Sequence, residues 1–94
     1  MAVTLSIKKV YYDAILDGSK TIEYRKDSPF FKVRFDKPCN RLILHYFKDC
    51  RLECQVRLVE LIPNPFPERA QFLDTDQVYA IHIGEVREIR TKTS

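Results

Sequence analysis

The sequence is poor in the residues that build cross-linked or metal-stabilised domains. It has 94 residues but only three cysteines and two histidines, no tryptophan, and no Cys-x-x-Cys pair. An odd cysteine count without such a pair disfavours both a disulfide scaffold and a structural zinc site. We therefore expect reduced thiols in a cytoplasmic protein, with no metal and no cofactor.

Long apolar runs are also missing. No segment approaches the roughly 18 consecutive apolar residues that a membrane span needs, and Met1 is not followed by the basic and apolar regions of a signal peptide. We therefore expect no membrane partner. The length predicts a single domain over residues 1–94. A net charge of +3 permits contact with phosphates but does not require it.

Apolar and polar residues alternate along most of the chain, which predicts short β-strands. The phase of the alternation slips after Leu58, and such a slip predicts a β-bulge, which bends a strand. Gly84 is expected in a second turn or bulge. The predicted strands cover residues 3–7, 20–26, 30–36, 41–47, 51–61, 77–83 and 85–89.

One segment, residues 9–17, has the period of a helix. Its polar residues form one narrow stripe and apolar residues fill the rest, so we expect a largely buried helix that covers one end of the sheet. Gly18 is placed to end this helix in the left-handed conformation. A further helical turn is predicted within residues 68–73. These elements predict a mainly β, α+β fold: a small barrel with one buried N-terminal helix and a short helical insert.

The functional signal is concentrated in the octapeptide at residues 18–25, Gly-Ser-Lys-Thr-Ile-Glu-Tyr-Arg. It brings Lys20, Glu23 and Arg25 together beside a glycine that can redirect the backbone. On a strand, Thr21 would share one face with Glu23 and Arg25. We interpret this face as a pocket wall: Arg25 positions an anion or a base edge, and Glu23 accepts from a base amine or acts as acid or base. The alternative is a surface ion pair that contributes less than about 1 kcal/mol.

The order of a strand, a helix and then Gly18-x-Lys20-x-x-Glu23-x-Arg25 resembles the ASCH domain family of the PUA-like superfamily. That family carries a Gly-x-Lys-x-x-Glu-x-Arg pattern, which is complete here. Residues 78–86 also resemble its closing strands. The resemblance implies a PUA-like β-barrel with a cleft beside the helix, lined by the motif. It also implies a domain that binds RNA or a modified nucleobase or nucleoside.

The resemblance leaves an enzyme open as an alternative. Some ASCH proteins remove the acetyl group from N4-acetylcytidine, and some are reported to cleave RNA. The hydrolases carry a nucleophilic threonine at the position of Glu23, so a hydrolase here would use Lys20 and Glu23 as a catalytic pair that activates water. They also use a later acidic residue, for which Glu68 is the first candidate and Asp74 and Asp76 follow.

Aromatic and basic residues interleave just after the motif, in residues 30–34. This pattern suits the rim of a cleft that stacks bases and contacts phosphates. Core packing predicts the same phenylalanine pattern, and we expect at least two of Phe30, Phe31 and Phe35 in the core. A protein-interaction module that exposes Phe30, Phe31 and Phe66 is the third hypothesis. The predicted ligand-binding residues are Lys20, Thr21, Glu23, Tyr24, Arg25, Phe31 and Lys32.

Overall fold

The computed structural model describes residues 2–47 and 49–90, and within them five strands form one sheet. The strands are β1 (Ala2–Ser6), β2 (Ile22–Lys26), β3 (Arg41–Phe47), β4 (Cys50–Pro63) and β5 (Gln77–Arg90). The helices are α1 (Lys9–Leu16) and α2 (Pro29–Phe35), with one 3-10 turn at Ala70–Phe72. The strand order is β1-β3-β4-β5-β2; β1 runs parallel to β3, and the other neighbours are antiparallel. The sheet is curled into a half-barrel, which fits the predicted fold class.

β4 and β5 form the long spine of the sheet, and a β-bulge interrupts their pairing. The register shifts on both sides of Val56, slightly earlier along β4 than the sequence predicted. On β5, Gly84 lies beside the bulge, where a Cβ atom would meet the side chains of Gln55 and Arg57. The bulge alternative for Gly84 is therefore confirmed, and β5 continues through it as one strand. Such a bulge increases the local bend and twist, which favours the curl of the sheet.

The hydrophobic core lies between the concave side of the sheet and α1. The helix buries Tyr12 and Ile15, and the Tyr12 hydroxyl donates to Glu88 Oε2 on β5 at 2.8 Å. Val10, on the other side of α1, is 66% exposed. The buried face of α1 is therefore narrower than the apolar arc of its sequence predicted, because the sheet covers only one side of the helix. The sheet contributes Val3, Leu5, Leu42, Leu44, Leu52, Cys54, Val56, Ile81 and Ile83 to this core.

Residues 29–35 form α2, so the strand predicted at 30–36 was wrong. Ser28 Oγ accepts from the Phe31 backbone N–H at 3.4 Å and Pro29 opens the helix, which is a common arrangement at a helix N-terminus. The apolar spacing fits a helix face as well as a strand. The expectation was at least two core phenylalanines: Phe31 and Phe35 are partly buried and pack against the core, but neither is fully buried, and Phe30 is 53% exposed.

The outer strands of the curled sheet, β1 and β2, approach each other. Arg25 on β2 donates from Nη2 to the carbonyl oxygen of Ser6, at the end of β1, at 2.9 Å. This contact joins the two edges at one point and leaves a cleft beside it. No helix in the described part of the chain is long and apolar enough to cross a membrane.

Candidate functional site

A cleft of about 530 Å³ opens between the end of β1, the start of α1 and the outer edge of β2. Its volume lies within the range of small-molecule binding sites. The turn at Ala70–Phe72 and Phe31 of α2 contribute further parts of its wall. The lining residues are Ser6, Ile7, Lys8, Tyr11, Lys20, Glu23, Tyr24, Arg25, Lys26, Phe31, Arg69, Gln71 and Phe72.

Glu23 is the buried charge of this cleft. It is only 6% exposed, and Arg25 donates to its Oε2 atom from Nε at 3.0 Å and from Nη2 at 2.7 Å. Lys20 Nζ lies 3.2 Å from the other oxygen, Oε1. A buried carboxylate is stable only when its charge is compensated at close range. The two cations supply this compensation, and both line the cleft with further N–H donors.

The end of α1 places Lys20 in the cleft. Gly18 has φ +86°, a conformation that L-residues rarely adopt, and it stops the helix as the sequence predicted. The chain then turns back, and the Lys20 backbone N–H donates to the Ala14 carbonyl at 3.0 Å. The Ile83 N–H donates to the Thr21 carbonyl at 2.9 Å, which docks the start of β2 on β5. The opposite edge of β2 is left facing the cleft.

Aromatic rings surround the two cations. Lys20 Nζ lies 5.2 Å from the centre of the Tyr11 ring and 5.6 Å from that of Tyr24. Arg25 Cζ lies 5.8 Å from the centre of the Phe31 ring. Such cation–π contacts favour fixed positions for the charged groups. The cleft therefore combines oriented donors with flat apolar surfaces.

The family model of the ASCH domain matches residues 5–93, nearly the whole chain. The chain belongs to the ASCH domain family. The match confirms the resemblance seen in the octapeptide. The ASCH domain is of a nucleic-acid-binding type. No curated protein and no solved structure matches the chain significantly.

In this ASCH domain, five of the seven predicted binding residues meet in the cleft, namely Lys20, Glu23, Tyr24, Arg25 and Phe31. Thr21 and Lys32 are exposed and lie outside the cleft lining.

The later acidic candidates are also outside the lining. Glu68 and Asp76 are exposed, and Asp74 accepts from Lys26 Nζ at 2.6 Å. The hydrogen bond from Lys26 lowers the pKa of the Asp74 carboxyl group. The described residues contain no cluster of histidine, cysteine or acidic side chains that could hold a metal ion. His82 is half-buried, and its Nε2 atom lies 2.7 Å from Glu60 Oε2.

Several lining residues of the ASCH domain cleft were missed from the sequence. Lys8 and Tyr11 lie at the start of α1. The change from strand to helix period at this point of the sequence is a signal that could have marked them as neighbours of the cleft. Arg69 and Phe72 come from the segment between β4 and β5, and only the fold brings them to β2. No local pattern marks them.

The positive charge of the ASCH domain is concentrated at this cleft. The lining holds five cationic side chains and one carboxylate, a net charge of +4, whereas the whole chain carries +3. The rest of the molecule therefore has a net charge of −1. A local excess of this kind attracts anionic ligands to the cleft. The cations are Lys8, Lys20, Arg25, Lys26 and Arg69.

Proposed function

We propose that this ASCH domain binds single-stranded RNA by taking one nucleobase into the cleft between β1 and β2. The arrangement of Lys20, Glu23 and Arg25 carries the proposal: a buried carboxylate holds two cations in a cleft with aromatic walls. Donors that are fixed in advance recognise base acceptors at little entropic cost. Flat rings add stacking, which is the usual way in which proteins hold an unpaired base.

The cations of the cleft divide into two groups by depth. The side chains of Lys20 and Arg25 are 21% and 18% exposed, so they contact a base inside the cleft. Lys8 and Arg69 are exposed at the rim, where they reach phosphates. Lys32 is exposed on α2 next to Phe31, and we assign it an outer phosphate contact in the same way.

Glu23 acts on the ligand through its partners in this proposal. Arg25 engages one carboxylate oxygen and Lys20 approaches the other, so the carboxylate sets the positions of both cations. This replaces the hypothesis that Glu23 accepts directly from a base amine. We therefore treat Glu23 as a positioning residue.

A hydrolase is the second candidate function, because Lys20 Nζ and Glu23 Oε1 are 3.2 Å apart within the cleft. A water bound beside this pair would lie within hydrogen-bond reach of both groups. The substrate would be an N4-acetylcytidine-type amide or RNA. The ion pair of Glu23 with Arg25 favours the binding function instead, since it commits the carboxylate to a second cation.

A ligand titration that is monitored through the amide NMR shifts of the protein distinguishes the binding function from the hydrolase. Cytidine, N4-acetylcytidine and a short single-stranded RNA are added to the protein and to the Lys20→Ala variant, and the products are weighed by mass spectrometry. Lys37→Ala is the matched control, because Lys37 is an exposed lysine outside the cleft lining. We expect shifts centred on Lys20, Glu23 and Arg25 that the Lys20 variant abolishes and the control retains.

Two other outcomes would change the assignment. Loss of the acetyl mass from N4-acetylcytidine, or cleavage of the RNA, would make the hydrolase the leading function. The absence of shifts with all three ligands would overturn the nucleobase proposal and favour the protein-interaction hypothesis.

A further inference from the structure

A second aromatic and cationic pair adjoins the cleft, and the motif does not include it. Arg69 Cζ lies 4.0 Å from the centre of the Phe66 ring. Phe66 in turn meets Tyr24 edge-on, with ring centres 4.9 Å apart. The pair therefore continues the wall that Tyr24 forms inside the cleft. We name Arg69 and Phe66 the stacking pair.

The loop that carries the stacking pair is well ordered by its own hydrogen bonds. Asn64 Nδ2 donates to the Phe72 carbonyl at 2.9 Å, and Asn64 Oδ1 accepts from the Phe66 N–H at 2.7 Å. The Arg69 N–H donates to the Phe66 carbonyl at 3.1 Å. Prolines on both sides of Phe66 restrict the backbone further. A ligand that stacks here therefore loses little binding free energy to ordering of the loop.

We propose that Arg69, backed by Phe66, is the binding site for the nucleotide next to the one whose base enters the cleft. Phe66 covers one face of the guanidinium, and the exposed side chain offers its other face to a base. Planar guanidinium groups stack on bases and also contact phosphates, which an ammonium group cannot do equally well. The ligand class is single-stranded RNA of two or more nucleotides. This inference rests on the proposed function.

The molecule contains a matched control for the stacking pair. Arg34 Cζ lies 3.4 Å from the centre of the Phe30 ring on α2, and Arg34 is outside the cleft lining. Arg69→Lys and Arg34→Lys thus remove the same planar group at two places and keep the charge. The probes are the four nucleoside 5′-monophosphates and the four corresponding homotrinucleotides, with affinities taken from NMR titrations.

We expect the trinucleotide to bind the unmodified protein roughly tenfold more tightly than its monophosphate, as stacking of one added base predicts. The readout is the ratio of the two affinities within each variant: Arg69→Lys loses most of this gain, whereas Arg34→Lys keeps it. If Arg69→Lys keeps the full gain in affinity of the trinucleotide over its monophosphate, the inference is overturned. It is also overturned if the trinucleotide binds the unmodified protein no more tightly than its monophosphate. Both results leave the cleft proposal intact. If neither kind of probe binds, the proposed function fails and the inference fails with it. If only trinucleotides bind measurably, a loss of trinucleotide affinity in Arg69→Lys but not in Arg34→Lys supports the inference. Equal trinucleotide affinities in the two variants overturn it.

Discussion

At the scale of the residue, Glu23 is the one buried charged group in the described part of the chain. Removing one partner of a buried ion pair leaves the other charges uncompensated. We predict that Glu23→Gln lowers the free energy of unfolding by about 3 kcal/mol, as urea denaturation would measure. The reason is that the amide keeps the shape of Glu23 but leaves Lys20 and Arg25 without a counter-charge.

Glu53 provides the control for this prediction. It also pairs with two arginines, Arg41 at 3.4 Å and Arg87 at 3.0 Å, but both arginines are exposed and the Glu53 side chain is 24% exposed, against 7% for Glu23. Exposed pairs contribute little, so Glu53→Gln should cost no more than about 1 kcal/mol. Equal losses in the two variants would show that burial of Glu23 does not determine the effect.

The Cys54 thiol makes the free energy of unfolding depend on pH in the alkaline range. Burial, with the nearby charges of Glu23 and Glu53, raises the pKa of its thiol from an ordinary value of 9.0 to about 11. A raised pKa stabilises the folded state below about pH 9, and this contribution is lost as the pH rises towards 11. Two pKa units correspond to about 2–3 kcal/mol. We predict that unfolding free energies measured from pH 8 to pH 11 fall by about that much more in the unmodified protein than in Cys54→Ala. Parallel curves would contradict the prediction.

At the scale of the element, Gly18 contributes to the end of α1 through its backbone conformation. A Cβ atom at this position would meet no atom within 4 Å, so only the φ of +86° opposes a side chain. We predict that Gly18→Ala lowers the free energy of unfolding by about 1 kcal/mol, the usual cost of the left-handed conformation. Gly18→Asn should cost less, because asparagine adopts that conformation more readily. If urea denaturation gives equal costs for both variants, the backbone explanation is wrong.

Elements with a clear period were predictable from the sequence, and one with an ambiguous period was not. Alternation located β3 and the bulged β4, because a strand that packs on one or both faces leaves a period of two. The phenylalanines of α2 satisfy that period and a helical one equally. The decisive signal is local: Ser28 before Pro29 is typical of a helix N-terminus, whereas the alternation alone favours a strand.

The candidate site was predictable to the extent that it is local. Lys20, Glu23 and Arg25 are within five positions of one another, so a single strand after a helix stop brings them together. Arg69 lies more than forty positions along the chain from Arg25, and it reaches the cleft only because β2 pairs with β5 at the sheet edge. Sheet order depends on the packing of the whole chain, and no short segment encodes it.

At the scale of the whole molecule, the curl of the sheet turns a mild overall charge into a strong local one. It brings the outer edges of the sheet together. Cations from the junction between β1 and α1, from β2 and the turn before it, and from the β4–β5 loop then share one cleft. Three of these cations have carboxylate partners: Lys20 and Arg25 share Glu23, and Lys26 pairs with Asp74. Among the described residues, no carboxylate lies within ion-pair distance of Lys8 or Arg69. These two are therefore the main sources of net attraction for a phosphate chain.

The number of free cations sets the salt dependence of RNA binding. Each phosphate that a protein neutralises on a single strand changes the slope of log K against log salt by about −0.7, so two or three contacts predict a slope between about −1.4 and −2.1. We predict that Lys8→Ala reduces the magnitude of this slope by about 0.7, because it removes one such contact, while Lys37→Ala leaves it unchanged. Affinities for a short single-stranded RNA, measured across a series of salt concentrations, give these slopes directly. A slope near zero would mean that the cleft binds only the base, whereas a slope steeper than about −4 would require phosphate contacts well beyond the cleft.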